Sequence, residues 1–204
     1  RIEKIDFSYE DQNKIEIKDE IKKNISFKYE NSLIDLNSAF THKVFKIFIK
    51  KNYSLKKPLI IYHSTDKKIN STNINLRLDF DLGENSCLKL IDFYTNNAAQ
   101  NFINIFYNFN LEKDAILKNY KIDKFKNNNL KYSFNNIEQG NNSISETFIL
   151  SAGSDYLKNE INCNLNGEYS SAFINGVFSL KENQQHEIRT TINHLVENTK
   201  SYQL

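Results

Sequence analysis

Apolar residues in this chain return at every second position and almost nowhere at the spacing of a long helix. Ile74, Leu76, Leu78, Phe80 and Leu82 alternate with Asn, Arg and Asp. Such alternation puts successive side chains on opposite faces of an extended strand. The stretch from Leu157 to Leu204 carries the pattern furthest. Leu157, Ile161, Cys163 and Leu165 alternate, broken only by Asn159, and Ile188, Ile192 and Val196 share a face with Thr190 and His194. Between them Phe173 to Leu180 is apolar on both faces apart from Asn175, Gly176 and Ser179, which suits a strand covered on both sides. The stretch reads as three strands joined at Asn166-Gly167-Glu168 and Glu182-Asn183-Gln184, residues that tolerate turn conformations.

The rest of the chain follows the same rule. Strands are predicted over 45–49, 59–63, 74–82, 88–94, 102–109, 115–122, 130–137 and 143–150, with short polar corners between them. Residues 1–32 read as a lead-in of one or two strands, with a short helix over Glu20 to Asn24. Asn37 to Phe40 forms a short helix or turn, and 33–204 forms one core. A chain of short strands without a sustained helical period is all-β. Corners every 10 to 14 residues, roughly, fit a sandwich, a barrel or a solenoid.

Composition narrows the function. The chain has 204 residues, a net charge of +2 and 25% charged residues, so it has no basic excess for nucleic acid. The Lys-Lys pairs at 22–23, 50–51, 56–57 and 67–68 are scattered and read as solvated edges and turns. No apolar run reaches the roughly 20 residues that span a bilayer, and the start lacks a signal-peptide pattern. Two cysteines make no disulfide framework, and a reducing cytoplasm fits them best. Methionine is absent, and there are one proline and five glycines. Asparagine can replace glycine at left-handed corners.

No nucleotide-binding loop, G-x-S-x-G or H-E-x-x-H is present. Cys163 lies on the apolar face of its strand and reads as a small buried hydrophobe. Cys87 opens a strand and reads as structural. His194 shares a face with Ile188 and Ile192 and reads as a hydrogen-bonded structural histidine. His42, His63 and His186 have no partner pattern and read as surface or turn residues. Asp79 and Asp81 read as a solvated face opposite Leu78, Phe80 and Leu82. Paired carboxylates on a β-helix can also hold calcium. A secreted β-helix that binds or cleaves acidic polysaccharide is therefore the alternative reading.

The quoted motifs carry a resemblance. KNEINCNL at 158–165, LNGE at 165–168, INGVFSL at 174–180 and QQHEIRTTINHLVENTKSYQL at 184–204 resemble the SufB/SufD family of iron–sulfur cluster assembly. Asn-Gly after Ile174 and the ending SYQL resemble the SufD subunit more than SufB. LNSAF at 36–40 and the alternating FKIFIKKN after it resemble the start of the SufD solenoid. The resemblance implies a right-handed parallel β-helix whose coils each cover the next. In the family, helical domains flank this core, and neither is expected in full within 1–204. The resemblance implies a non-catalytic, cytoplasmic scaffold. Its partners are a SufB-like subunit and a SufC-like ATPase, with a homodimer as the alternative when the chain is alone.

Cys163 stands where SufB carries a cysteine implicated in receiving sulfur, and His194 lies in a run shared by both subunits. These two are the candidate metal residues, with the structural reading preferred for each. A cluster held by this chain alone would need about four ligands. The chain is expected to meet an iron–sulfur cluster only at an interface with a partner.

Overall fold

The computed structural model describes residues 10–21, 31–65, 71–96, 100–125 and 129–204. After the first strand β1 (Ile15–Ile21) comes the helix α1 (Ser32–Phe40), then strands laid alternately in two sheets. The first sheet has the order β1-β2-β4-β6-β8-β10-β12. Its later members are β2 (Lys43–Ile49), β4 (Asn73–Leu82), β6 (Phe102–Leu111), β8 (Leu130–Gln139), β10 (Tyr156–Leu165) and β12 (Gln185–His194). The second sheet has the order β13-β11-β9-β7-β5-β3. It contains β3 (Leu59–Thr65), β5 (Cys87–Asn96), β7 (Ile116–Phe125), β9 (Ile144–Ala152), β11 (Ser171–Ser179) and β13 (Lys200–Gln203). Only β1 runs antiparallel to its neighbour, Ile15 facing Ile49. All other pairs in both sheets are parallel, so the chain winds as a β-solenoid. No helix among the described residues is long and apolar enough to cross a membrane.

The winding follows from the alternation. Inward positions stack in columns along the axis, and one column runs Phe80, Phe109, Ile137, Cys163, Ile192. Phe80 and Phe109 stack at 4.8 Å, both buried. Each coil turns the same corner from the first sheet to the second with one left-handed residue. These are Asn52, Asn85, Asp114, Asn142, Tyr169 and Asn198, with φ between 55° and 61°. Asparagine and aspartate adopt this conformation more readily than other side chains, which gives the asparagine-rich composition a structural use. Main-chain bonds then lock coil to coil, Asn85 N to Lys113 O and Asn142 N to Glu168 O among them.

The helix starts earlier than the reading of Asn37–Phe40. The Asn31 side chain caps it, accepting from Leu33 N and Ile34 N. Buried Asn37 donates to Leu76 O and Asn104 O, and Asn104 donates back to Leu33 O. Ile34 packs on Phe106, Tyr132 and Phe134, so α1 covers apolar residues on the outer face of the first sheet.

Four expectations change. Leu157–Leu204 holds four strands: β12 stops at His194, Val196 lies in the turn beyond it, and β13 follows. The strand at Phe173–Leu180 is not covered on both sides by described residues, since Phe173, Val177, Phe178 and Leu180 are exposed. Glu20 and Ile21 belong to β1 rather than to a helix, and 22–24 lie outside the described residues. His63 is no surface residue: its side chain is 13% exposed and pairs with Asp92.

Candidate functional site

Cys163 points into the solenoid from β10 and is fully buried. Its Sγ donates to Gln139 Oε1 at 3.1 Å, an oxygen that also accepts from Ser145 Oγ at 2.7 Å. Gln139 Nε2 donates to Ser143 O and Ser171 O, each at 3.1 Å. The glutamine thus ties the corners of neighbouring coils together, and the thiol fills one of its acceptor sites. Burial pushes the Cys163 thiol up to about 12, only partly offset by the Ser145 hydroxyl. A thiol attacks through its thiolate, so this one is a poor nucleophile at neutral pH.

His194 lies apart from it. In register, Cys163 faces Ile192 and His194 faces Leu165. His194 is exposed, and its two ring nitrogens lie 2.6 Å from Thr199 Oγ1 and 3.1 Å from Ser201 Oγ. It therefore braces the last corner. Cys87 is half-buried at the start of β5, its thiol raised by burial against the pull of Lys89 and Lys118. Among the described residues no three His, Cys, Asp or Glu side chains converge as metal ligands.

The chemistry-bearing groups that do converge lie inside the coils. Inward positions of β5 continue from Leu88 and Leu90 to Asp92 and Tyr94, and those of β7 from Leu117 through Asn119 to Lys121 and Asp123. Asp92 is wholly buried. It receives Tyr107 Oη at 2.5 Å, His63 Nε2 at 2.7 Å and Lys121 Nζ at 3.2 Å. Lys121 also donates to Asn135 Oδ1 at 3.0 Å and sits over the Tyr107 ring. Lys131 pairs with Asp123, sits over the Tyr94 ring, and Asn159 donates to Asp123 Oδ2 at 3.3 Å. The two hydroxyls of Tyr94 and Tyr107 join the halves at 2.8 Å. His63 stacks on Tyr94 with ring centres 3.9 Å apart and closes the network towards β3.

Electrostatics keeps the Asp92 carboxylate ionised. Burial alone would raise the Asp92 carboxyl, but the Lys121 charge, the His63 ring with its hydrogen bond, and the Lys131 charge outweigh it. The carboxyl is held well below the usual carboxylate range. Burial pulls Lys121 down to about 8, with Asp92 holding part of it back. Burial and the Asp92 charge push both tyrosines well above their ordinary range. Two lysines and two aspartates balance in charge, and every one is shut from solvent. The arrangement can stiffen the stack and fix its register.

On the outer face of the first sheet, Tyr132 Oη donates to Glu160 Oε2 at 2.5 Å and Asn31 donates to the same oxygen at 3.0 Å. Lys158 reaches Glu160 Oε1 at 2.8 Å. Asp79 turns to Arg77 at 3.1 Å and is mostly buried rather than solvated, its carboxyl raised by burial against the pull of Arg77. An arginine in that place leaves the aspartate pair unsuited to calcium and removes the support for the polysaccharide reading.

The buried network was missed at the level of sequence, although a signal existed: parity carried forward from Leu88 and Leu117 puts Asp92, Lys121 and Asp123 inside. Comparison with known families matches residues 63–204 to the family described as SUF system FeS cluster assembly, SufBD core domain. No curated protein sequence matches the chain.

Proposed function

This chain belongs to the SufBD core domain family of SUF system FeS cluster assembly, and we propose that within that system it is a non-catalytic scaffold of the SufD type. It pairs with a SufB-like subunit, and a SufC-like ATPase drives movement of the pair. The observation that carries this reading is the closed setting of Cys163. The residue standing where SufB bears its sulfur-receiving cysteine is sealed under Gln139 and Ser145, with its thiol raised to about 12. Such a thiol supports the architecture and leaves sulfur chemistry to the partner. The nascent cluster is cargo of the assembly, met at the boundary between subunits. The cytoplasm is the compartment that fits two free cysteines.

Coil stacking supplies the physical basis for pairing. A solenoid ends in open strands, which need a cap or a partner. The final first-sheet strand β12 has exposed residues along its length, and the apolar Leu195 beyond it is exposed as well. This edge is where the partner core would add.

The test is co-expression of the full-length gene product with SufB-like and SufC-like subunits of the same genome, followed by size-exclusion chromatography and ATPase assay. A co-eluting complex whose cluster assembly survives Cys163→Ala is the expected result. Elution of the chain alone, with no affinity for either subunit, defeats the scaffold reading. An intact complex that loses cluster assembly with Cys163→Ala returns the sulfur-receiving role to this chain.

A further inference from the structure

The two outer faces of the solenoid differ in kind. Outward positions of the first sheet carry mostly asparagines and charges, and its outward Phe106, Tyr132 and Phe134 lie under α1. Outward positions of the second sheet form two apolar columns. One runs Ile60, Ile91, Tyr120, Phe148 and the other Tyr62, Phe93, Ile122, Leu150, Val177. Tyr62 is 61% exposed, Ile60 60%, Tyr120 40% and Phe148 39%. Tyr62 and Phe93 stack at 5.4 Å across neighbouring strands of this face. Among the described residues no helix lies on this face.

Size and charge identify what fits. With strands about 4.8 Å apart, two columns over five strands make a strip of about 20 by 12 Å, about 240 Å². A stable pairing of two proteins buries about 800 Å² on each side, so two copies meeting on this strip alone fall well short. One helix, about 10 Å wide and rising 1.5 Å per residue, covers the strip in about 14 residues. The chain already uses this solution on its first sheet, where α1 covers Phe106, Tyr132 and Phe134. Among the described residues the rim of the strip carries Lys89, Lys118 and Lys124 against a single acid, Glu146, which pairs with Lys118 at 3.0 Å. Complementarity therefore calls for acidic flanks on the helix.

We propose that the outer face of the second sheet is the docking bed for an amphipathic helix of a partner subunit, with an apolar stripe that covers the two columns and acidic residues that meet the lysine rim. This rests on the reading of the chain as one subunit of an assembly. It adds a surface distinct from the β12 edge.

The full-length protein is footprinted with hydroxyl radicals, alone and in complex with its SufB-like and SufC-like subunits. The expected result is about fivefold lower labelling of Tyr62, Tyr120 and Phe148 in the complex, as for residues buried at an interface. Tyr120→Lys with Phe148→Lys should weaken assembly about tenfold or more, as central apolar anchors do. Both positions are about two-fifths exposed and face each other, so the isolated variant should still fold, with its melting temperature lowered by no more than a few degrees. Lys89→Glu with Lys124→Glu should weaken assembly most at low salt. A complex that forms with unchanged labelling overturns this proposal and leaves the scaffold reading standing. Protection already present in the isolated monomer gives the face to the protein's own chain, and a homodimer abolished by the lysine pair gives it to a second copy; either overturns the proposal. Absence of any complex overturns both readings.

Discussion

Asp92 and Lys121 face each other on adjacent rungs of the second sheet, with Lys121 Nζ 3.2 Å from Asp92 Oδ2 and neither side chain reaching solvent. Their pairing is unequal. Asp92 gathers Lys121, His63 and Tyr107. Lys121 keeps Asn135 and the Tyr107 ring even without the carboxylate. Breaking a buried pair costs about 3–5 kcal/mol because a charge is left uncompensated. Asp92→Asn strips three donors of their anion and should cost about that much. Lys121→Met keeps the apolar stem and leaves Asp92 its two other donors, so it should cost less. Urea unfolding of both variants checks the order, and a larger loss for Lys121→Met would contradict this account of the network.

Acid should erase the difference that Asp92 makes. Its folded carboxyl lies below the unfolded value of about 3.9, so the unfolded chain binds the proton first as pH falls. The stability Asp92 contributes is complete above about pH 4 and is lost as pH drops further. The gap between the unaltered chain and Asp92→Asn should therefore narrow below about pH 4, other titrations cancelling in the comparison. Unfolding free energies measured for the pair at neutral pH and near pH 3 read this directly. A gap that stays constant would mean the carboxyl titrates alike in the folded and the unfolded chain, without the hold that Lys121 and His63 exert on it.

The two cysteines should separate by reactivity. Cys163 is wholly buried with its thiol raised to about 12, and Cys87 is half-buried. An aromatic disulfide reagent at neutral pH should titrate Cys87 in the native chain and reach Cys163 only after denaturant is added. Peptide mapping of the labelled protein distinguishes the sites. Rapid native labelling of Cys163 would remove the main support for a scaffold that performs no sulfur chemistry.

Much of the fold is legible because period two survives wherever a strand has one wet face. The strands Asn73–Leu82 and Phe102–Leu111 announce themselves in this way. The last strand does not, since Lys200–Gln203 offers a single apolar residue, Tyr202, and is held by its parallel partner β11. The site is less legible than the fold. Parity can place Asp92 and Lys121 inside, but it cannot say that Asn135 and Tyr107 lie across the lumen, because that depends on how the two sheets face each other. Cys163 is similar: its alternation shows burial, whereas the acceptor that satisfies it is Gln139, a coil away. The strand at Phe173–Leu180 reads in sequence as covered on both sides, because apolar residues on both faces look the same whether the cover is this chain or another.

One corner makes opposite predictions two residues apart. Tyr169 occupies the left-handed position, φ 61°, that Asn52, Asn85, Asn142 and Asn198 hold in other coils, and its side chain is 59% exposed. A left-handed backbone costs an ordinary side chain about 1–2 kcal/mol, a cost that asparagine relieves in part. Tyr169→Asn should therefore stabilise the chain by about 0.5–1 kcal/mol, since little packing is lost. Gly167 answers to a different constraint. A Cβ there would land on the backbone of Gly140 and Asn141 in the preceding coil, and backbone cannot step aside as a flexible side chain can. Gly167→Ala should push the two coils apart and disturb the Gly167 N to Gln139 O bond, which lies beside the glutamine holding Cys163. A loss of about 2 kcal/mol or more is expected, in the range of overpacked cores. Thermal unfolding of the two variants should move the midpoint in opposite directions. A stabilising Gly167→Ala would show that the coils are not packed this closely at the corner.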